Sequence, residues 1–469
     1  MLIRPTTYNE ELRTPNSVLF VIVLLLALGL LLALTGCGGG NNQLSASASN
    51  TQIKIGDAPA DSVIAFELTV TQVSLTDQSG KNVTVFTGSR QIELAHLSGT
   101  VESMALANVP AGTYTKASIG FSGAEVTYIP TTGTTPVEKN FNTTGTSTVT
   151  PASPVTIGNG SNILSIDVNV AQSLTFDATG NPTAVNPAFT IASVALPAEA
   201  EEKDEESGEM EDAVGTVSAV PANNSFALTL QMSGQTATFN VSSSTQFSDG
   251  LTSFADIKQG MLLRVDATTA STGNTFNAKK VELVEASGSE VEGLVTVTNN
   301  PLTQFTIVAA DGAGSGIAPA SIGTNINVTV NASTKFRANT NHTDMSGLSF
   351  AFSGPTNLVK GQNVEVEAAT SVSAGATTAD KVTLVQQGLS GTASAVAITG
   401  STGTFTLTLP ADSAFAKLTG STTVTVHQQP GTQLKGLTAV INGASVRVRG
   451  LLFFDGANYQ FVAARIGLP

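Results

Sequence analysis

From about residue 51 to the C-terminus, apolar and polar residues alternate in short runs, and this period predicts β-strands rather than helices. Ile64, Phe66, Leu68 and Val70 share one parity, while Val73 and Leu75 continue on the other, so a bulge or bend is expected near Thr71-Gln72. Leu164, Ile166, Val168 and Val170 repeat the pattern. Gly, Pro, Asn and Asp punctuate the runs, as turns require. One segment departs from this rhythm. Val18 to Leu34 is an apolar run of 17 residues, long for a secretory core and at the lower limit for a membrane-spanning helix.

The residues around that run settle its reading. Arg4 and Arg13 precede it, with Glu10 and Glu11 offsetting their charge, and Leu34-Thr35-Gly36-Cys37 closes it. An aliphatic residue, two small residues and a cysteine resemble the lipobox of bacterial lipoproteins. The resemblance implies a thiol acylated at Cys37 and cleavage between Gly36 and Cys37. Small residues there let a signal peptidase approach the chain, and Cys37 is the only cysteine, so no internal disulfide is available. Residues 1–36 are therefore expected to be a lipoprotein signal peptide, and residues 37–50, rich in Gly, Ser and Asn, a flexible tether. By analogy, the absence of Asp after Cys37 implies the outer membrane where the cell has two.

Residues 51–198 are expected to form one β-sandwich domain. Asn108-Val-Pro-Ala-Gly-Thr-Tyr114 reads as a turn entering a strand, with Pro110 presetting φ and Gly112 free to adopt unusual backbone angles. Such turns resemble those of immunoglobulin-like and prealbumin-like surface domains. Together with Ile55-Gly-Asp-Ala-Pro59, the segment resembles the bacterial family called domain of unknown function 4382. Asp57 reads as a carboxylate capping a turn before Pro59 rather than as a cation ligand. His96 reads as an exposed loop or strand-end histidine, with no His, Cys or acidic pair at metal-ligand spacing.

Composition sharpens two points. The formal charge is −14, yet nine acidic residues against Lys203 lie between Glu199 and Asp212, so the folded parts are only mildly acidic. Residues 199–212 read as a solvated acidic linker. An acidic chain without a basic stripe gains nothing from counterion release, and nucleic acid is not an expected partner.

Three copies of a motif order follow. The first runs through Gly215-Thr-Val, Phe226-Ala-Leu-Thr-Leu, Phe239-Asn-Val, Thr245-Gln-Phe247, Leu263-Arg-Val265 and Phe276-Asn-Ala. The second has Gly293-Leu-Val, Phe305-Thr-Ile, Ile326-Asn-Val, Thr334-Lys-Phe336, Val364-Glu-Val366 and Ala379-Asp-Lys-Val382, with insertions near Ala309–Gly323 and Ala338–Pro355. The third has Gly391-Thr-Ala, Phe405-Thr-Leu-Thr-Leu, Val424-Thr-Val, Thr432-Gln-Leu434, Val446-Arg-Val448 and Phe461-Val-Ala-Ala. These copies, placed at 213–287, 288–387 and 388–469, resemble the family called domain of unknown function 5666. Each suits a small closed barrel, OB-like or SH3-like, and the copies are expected as separate beads on an extended rod. The fold class is thus all-β, a sandwich followed by three barrels.

No phosphate loop, metal motif or nucleophile elbow is present, so no catalytic, cofactor-binding or metal residue is assigned and the chain is not expected to be an enzyme. The Phe positions read as barrel core, and Arg447, Arg449 and Arg465 as a solvated strand face. The expected role is structural or interaction-based in a bacterial cell envelope, with the membrane reached through the lipid. A polysaccharide or other envelope-polymer module is the alternative, and an enzyme with a hidden site the third reading.

Overall fold

The computed structural model describes residues 48–468 except 59–60, 98–100, 132, 161, 195–208, 222–223, 232, 271–273, 285–288, 314–316, 318–320, 341–342, 369–370 and 373–374. The first eleven strands are β1 (Ala48–Ala58), β2 (Val63–Asp77), β3 (Asn82–Glu93), β4 (Val101–Pro110), β5 (Gly112–Tyr128), β6 (Val137–Val149), β7 (Val155–Ile157), β8 (Asn162–Asn169), β9 (Leu174–Phe176), β10 (Pro182–Val185) and β11 (Phe189–Val194). They form a sandwich. One sheet has the order β11-β8-β1-β4, with β1 and β8 parallel, and the other has β3-β2-β5-β6 with β7 beside β5.

The alternation read from β2 explains the core between these sheets. Pairing of β2 with both β3 and β5 shifts between Val70 and Gln72, so Thr71 is the bulged residue, as expected. The bulge keeps Phe66, Leu68, Val70, Val73 and Leu75 all in the core despite their change of parity, where Leu164, Ile166 and Val168 meet them. Tyr114 secures the corner between β4 and β5 by donating its hydroxyl to Pro110 O at 2.7 Å. Gly112 is not at positive φ, so its place there does not rest on left-handed backbone.

The next six strands are β12 (Glu209–Ala219), β13 (Ser225–Leu230), β14 (Thr236–Asn240), β15 (Gln246–Ser248), β16 (Leu262–Thr269) and β17 (Thr275–Val284). The following set is β18 (Ser289–Thr298), β19 (Gln304–Ala313), β20 (Asn325–Thr329), β21 (Lys335–Ala338), β22 (Asn363–Ala368) and β23 (Ala376–Leu384). The last is β24 (Gln387–Thr399), β25 (Thr402–Thr408), β26 (Thr423–Lys435), β27 (Ser445–Phe454) and β28 (Tyr459–Gly467). β12 thus takes up the last four residues of the acidic run, and the rest of that run, like the signal segment and most of the tether, lies outside the described residues.

Each set closes on itself in the same way. Strand one pairs with strand two, two with three, three runs parallel to five, and five returns through four to one: β12-β13-β14-β17-β16, β18-β19-β20-β23-β22 and β24-β25-β26-β28-β27. The parallel pair selects the OB-like alternative over an antiparallel SH3-like barrel. β15 and β21 extend strand three along strand five in the first two barrels, and β26 does both in the third.

Two repeated letters have a physical reason here. Gly215, Gly293 and Gly391 sit where strand one coils tightly against strand two, and a Cβ on them would lie 2.8, 2.2 and 2.4 Å from the carbonyl oxygens of Thr229, Val308 and Thr408. Thr245, Thr334 and Thr432 sit where strand three breaks. Each hydroxyl accepts from the backbone N–H three residues earlier, at Ser242, Asn331 and Gln429. Each also donates to a carbonyl of strand five, at Ala278, Ala379 and Ala463, at 2.7 to 2.8 Å.

The described residues form one compact unit from Ser47 onward, which corrects the expectation of separate beads on a rod. Leu451, Phe453 and Val462 of the third barrel pack into the apolar core of the second, and Leu106 of the sandwich into that of the first. The second insertion takes part: Phe350 stacks on Phe453 with centroids 5.6 Å apart. Thr334→Val is expected to lower stability by about 1 kcal/mol because it removes two hydrogen bonds, one of them to the part-buried carbonyl of Ala379, whereas Thr329→Val, at an exposed position, should stay within about 0.5 kcal/mol. Thermal melting of the two variants checks this.

Candidate functional site

Leu34, Thr35, Gly36 and Cys37 lie outside the described residues, as does His342. Asp57 lies near the end of β1, in register with Val168 of β8, and residues 59–60, where the turn it was expected to cap would begin, lie outside the described residues. His427 bonds Gln460 Oε1 at 2.8 Å and meets the Phe350 ring edge-on. Among the described residues no group of three or more His, Cys, Asp and Glu is placed to hold a metal ion, and no helix is long and apolar enough to cross a membrane.

His96 is half-buried rather than exposed, because the chain turns at the end of β3 into a single 3-10 turn, Ala95–Leu97, capped by Glu93. Glu93 Oε1 accepts from Phe66 N and Ala95 N at 2.7 and 2.9 Å, and Oε2 from His96 N at 2.9 Å, with His96 Nδ1 at 2.8 Å. The imidazole lines a cavity of about 130 Å³ where the sandwich meets the second and third barrels. Asp61, Asn363, Gln387, Ser390 and Ser413 also reach it.

This cavity has the ingredients of an acid–base site but not its arrangement. Ser413 is committed as the N-cap of the short helix Ala414–Thr419, accepting from Ala416 N at 3.2 Å. The Gln387 amide joins the barrels, accepting from Asn363 N at 2.7 Å and donating to Gly361 O at 2.9 Å. Burial pushes Asp61 up; Arg447 draws it down less and Asp412 adds to the rise. The volume falls below the ~300–1,000 Å³ usual for small-molecule sites, and Gln387 among its polar groups bonds across the boundary between the second and third barrels.

Two further charged clusters lie at unit boundaries. Glu67 of β2 stands opposite Glu125 of β5, and its carboxylate accepts from Gln91 Nε2. The second barrel covers the pair. Gly323 presses on Glu67, where a Cβ would collide with the carboxylate, and Thr127 donates to Gly323 O at 2.7 Å. Burial pushes Glu67 up to about 8, the Gln91 hydrogen bond lowers it, and Glu125, Glu93 and Glu138 add to the rise. Glu125 is pushed up to about 7 by burial and by Glu138. Between the first two barrels, Arg264 reaches Glu290 at 2.7 Å and Glu365 at 2.6 Å. Burial still pushes Glu290 up to about 7, against the lowering by Arg264.

Sequence reading singled out none of these carboxylates. Glu67 falls on the outward parity between Phe66 and Leu68, and only the folded assembly covers it. The aromatics did read correctly: among the described residues no Phe or Tyr is fully exposed, and Phe226, Phe239, Phe276, Phe305, Phe405 and Phe461 are barrel core.

Comparison with known proteins agrees with both family resemblances. Residues 48–184 match the family described as Domain of unknown function (DUF4382), and residues 214–282 and 292–383 match Domain of unknown function (DUF5666). The third barrel lies outside the second match but repeats its closure, with Gly391 and Thr432 in the corresponding places. No curated protein matches the chain.

Because the folded pKa of Glu67 lies above its unfolded value near 4.5, its contribution to stability is fully present below that value and is lost as pH rises to about 8. The melting temperature should therefore fall from pH 5 to pH 8. Glu67→Gln should flatten that slope and raise the melting temperature at pH 8 by about 2 °C or more. Calorimetry across this range checks both effects.

Proposed function

We propose that this chain, which joins one domain of the DUF4382 family to tandem domains of the DUF5666 family, is an exported bacterial cell-envelope protein, lipid-anchored at Cys37, with a structural or interaction role and no catalysis. One observation carries the reading of the folded part. Buried polar contacts cross the unit boundaries: Arg264 reaches Glu290 and Glu365, Gln387 bonds Asn363 and Gly361, and Thr127 bonds Gly323 O beside the covered Glu67–Glu125 pair. Leu34-Thr35-Gly36-Cys37 supports the anchor, and the residue after Cys37 is Gly rather than Asp, which favours the outer membrane in a two-membrane cell.

The net charge of −14 favours a protein or neutral partner over nucleic acid. A polysaccharide-binding module would need aromatic platforms for sugar rings, and among the described residues no aromatic stands fully exposed to offer one. A protein partner is accordingly the preferred reading.

Metabolic labelling with a fatty-acid analogue, followed by fractionation, tests the anchor. The wild-type chain should carry label and sediment with membranes, and Cys37→Ser should lose both. A labelled Cys37→Ser variant would overturn the anchor. Turnover of ester, glycosidic or phosphoester substrates by the purified protein, abolished by His96→Ala, would overturn the non-catalytic reading.

A further inference from the structure

The sandwich is open between β3 and β4. β3 ends one sheet and β4 ends the other, and between them lies a groove of about 310 Å³ whose far end is closed by Ser233 and Gln235 of the first barrel. The Gln235 amide clamps the outer edge of β4, accepting from Leu106 N and donating to Leu106 O, both at 2.6 Å. That clamp imitates a paired strand. It shows that the outer edge of β4, unpaired by a strand, presents a donor and an acceptor, which at Leu106 are taken by Gln235.

Arg90 is out of place in this groove by the logic of the sheet. It stands opposite Val70 in the β2–β3 ladder, and Val70 is core, so the guanidinium lies on the inward face, between Phe86 opposite Val73 and Ile92 opposite Leu68. Alternation calls for an apolar residue at that position. The ladder shifts over Gly88 and Ser89, and the bulge re-aims Arg90 toward the mouth beside Met104 and Ala105.

Among the described residues the cation is given no counter-charge. Its Nε is buried without a hydrogen-bond partner, and among the described residues no carboxylate pairs with it. Burial alone lowers its pKa. An uncompensated guanidinium in such a place costs stability, and natural chains retain such a cost where binding uses it. Among the described residues lining the groove Arg90 is the one charged side chain, with the hydroxyls of Thr87, Ser89 and Ser233 nearby. A single guanidinium matches a planar monoanion that accepts two parallel N–H bonds.

We propose that the mouth between β3 and β4 binds an extended peptide segment bearing a carboxylate, with Arg90 as the group that takes the carboxylate. The strand edges on either side supply backbone hydrogen bonds to the peptide, as the Gln235 clamp on Leu106 illustrates. The chain as a whole is acidic, so attraction to such a segment is local to this groove.

Titration of the purified full chain with a labelled Ser/Gly peptide carrying one central Glu, followed by anisotropy, tests the proposal. Parallel titrations use the same peptide with Gln, an oligogalacturonate and inorganic phosphate. Saturable binding of the Glu peptide, absent for the Gln peptide and weakened about thirtyfold or more by Arg90→Gln, is the expected result. Equal binding by Arg90→Gln, equal binding of the Gln peptide, or binding of oligogalacturonate or phosphate alone would overturn it. A second readout separates site from scaffold: Arg90→Leu should raise the melting temperature of the unliganded protein. A fall would make the guanidinium structural and sink the proposal.

Discussion

In each barrel, one threonine hydroxyl bridges the break in strand three between its two parallel stretches along strand five, just past its pairing with strand two. The ladder must break there, and the break leaves a backbone N–H and a carbonyl without strand partners in a half-buried position. Thr245, Thr334 and Thr432 satisfy both groups at once, as acceptor from one and donor to the other. With strand one held close by its glycine, the sheet can then close. A closed barrel has no free edge, so neighbouring units have to meet through side chains rather than by strand addition.

That constraint explains where the chain spends its buried polar groups. The sandwich touches every barrel through side chains: Gln235 grips β4, Thr127 holds Gly323, and Lys417 reaches Ile129 O at 2.9 Å. Between the first two barrels, Arg264 and its two glutamates do the same. Buried pairs of this kind add little net stability over apolar packing, because desolvation offsets their attraction. What they do fix is relative placement, since an unmade pair would leave a buried charge.

Local features were legible in the sequence because they are set by neighbours in the chain. The parity change after Val70 located the bulge at Thr71, and the thrice-repeated Gly and Thr marked the barrels before any pairing was known. Features set by distant segments were not legible. Glu67 obeys alternation and is buried by another unit, His96 lines a cavity shared with the second and third barrels, and Asp57 lies in a strand that pairs with β8, more than a hundred residues away. Arg90 did break alternation, a signal hidden by the bulge at Gly88-Ser89. The expectation of beads on a rod failed for the same reason, as unequal repeat spacing says nothing about side chains meeting across units.

A compact body built on joints, rather than a catalytic cleft, is the basis for reading this chain as a structural or interaction protein. Small-angle X-ray scattering of residues 47–469 tests that basis directly. A single body of this length should give a radius of gyration of about 22 Å. Four separate domains of roughly 100 residues in line would give about 40 Å, and a value near that would contradict the account.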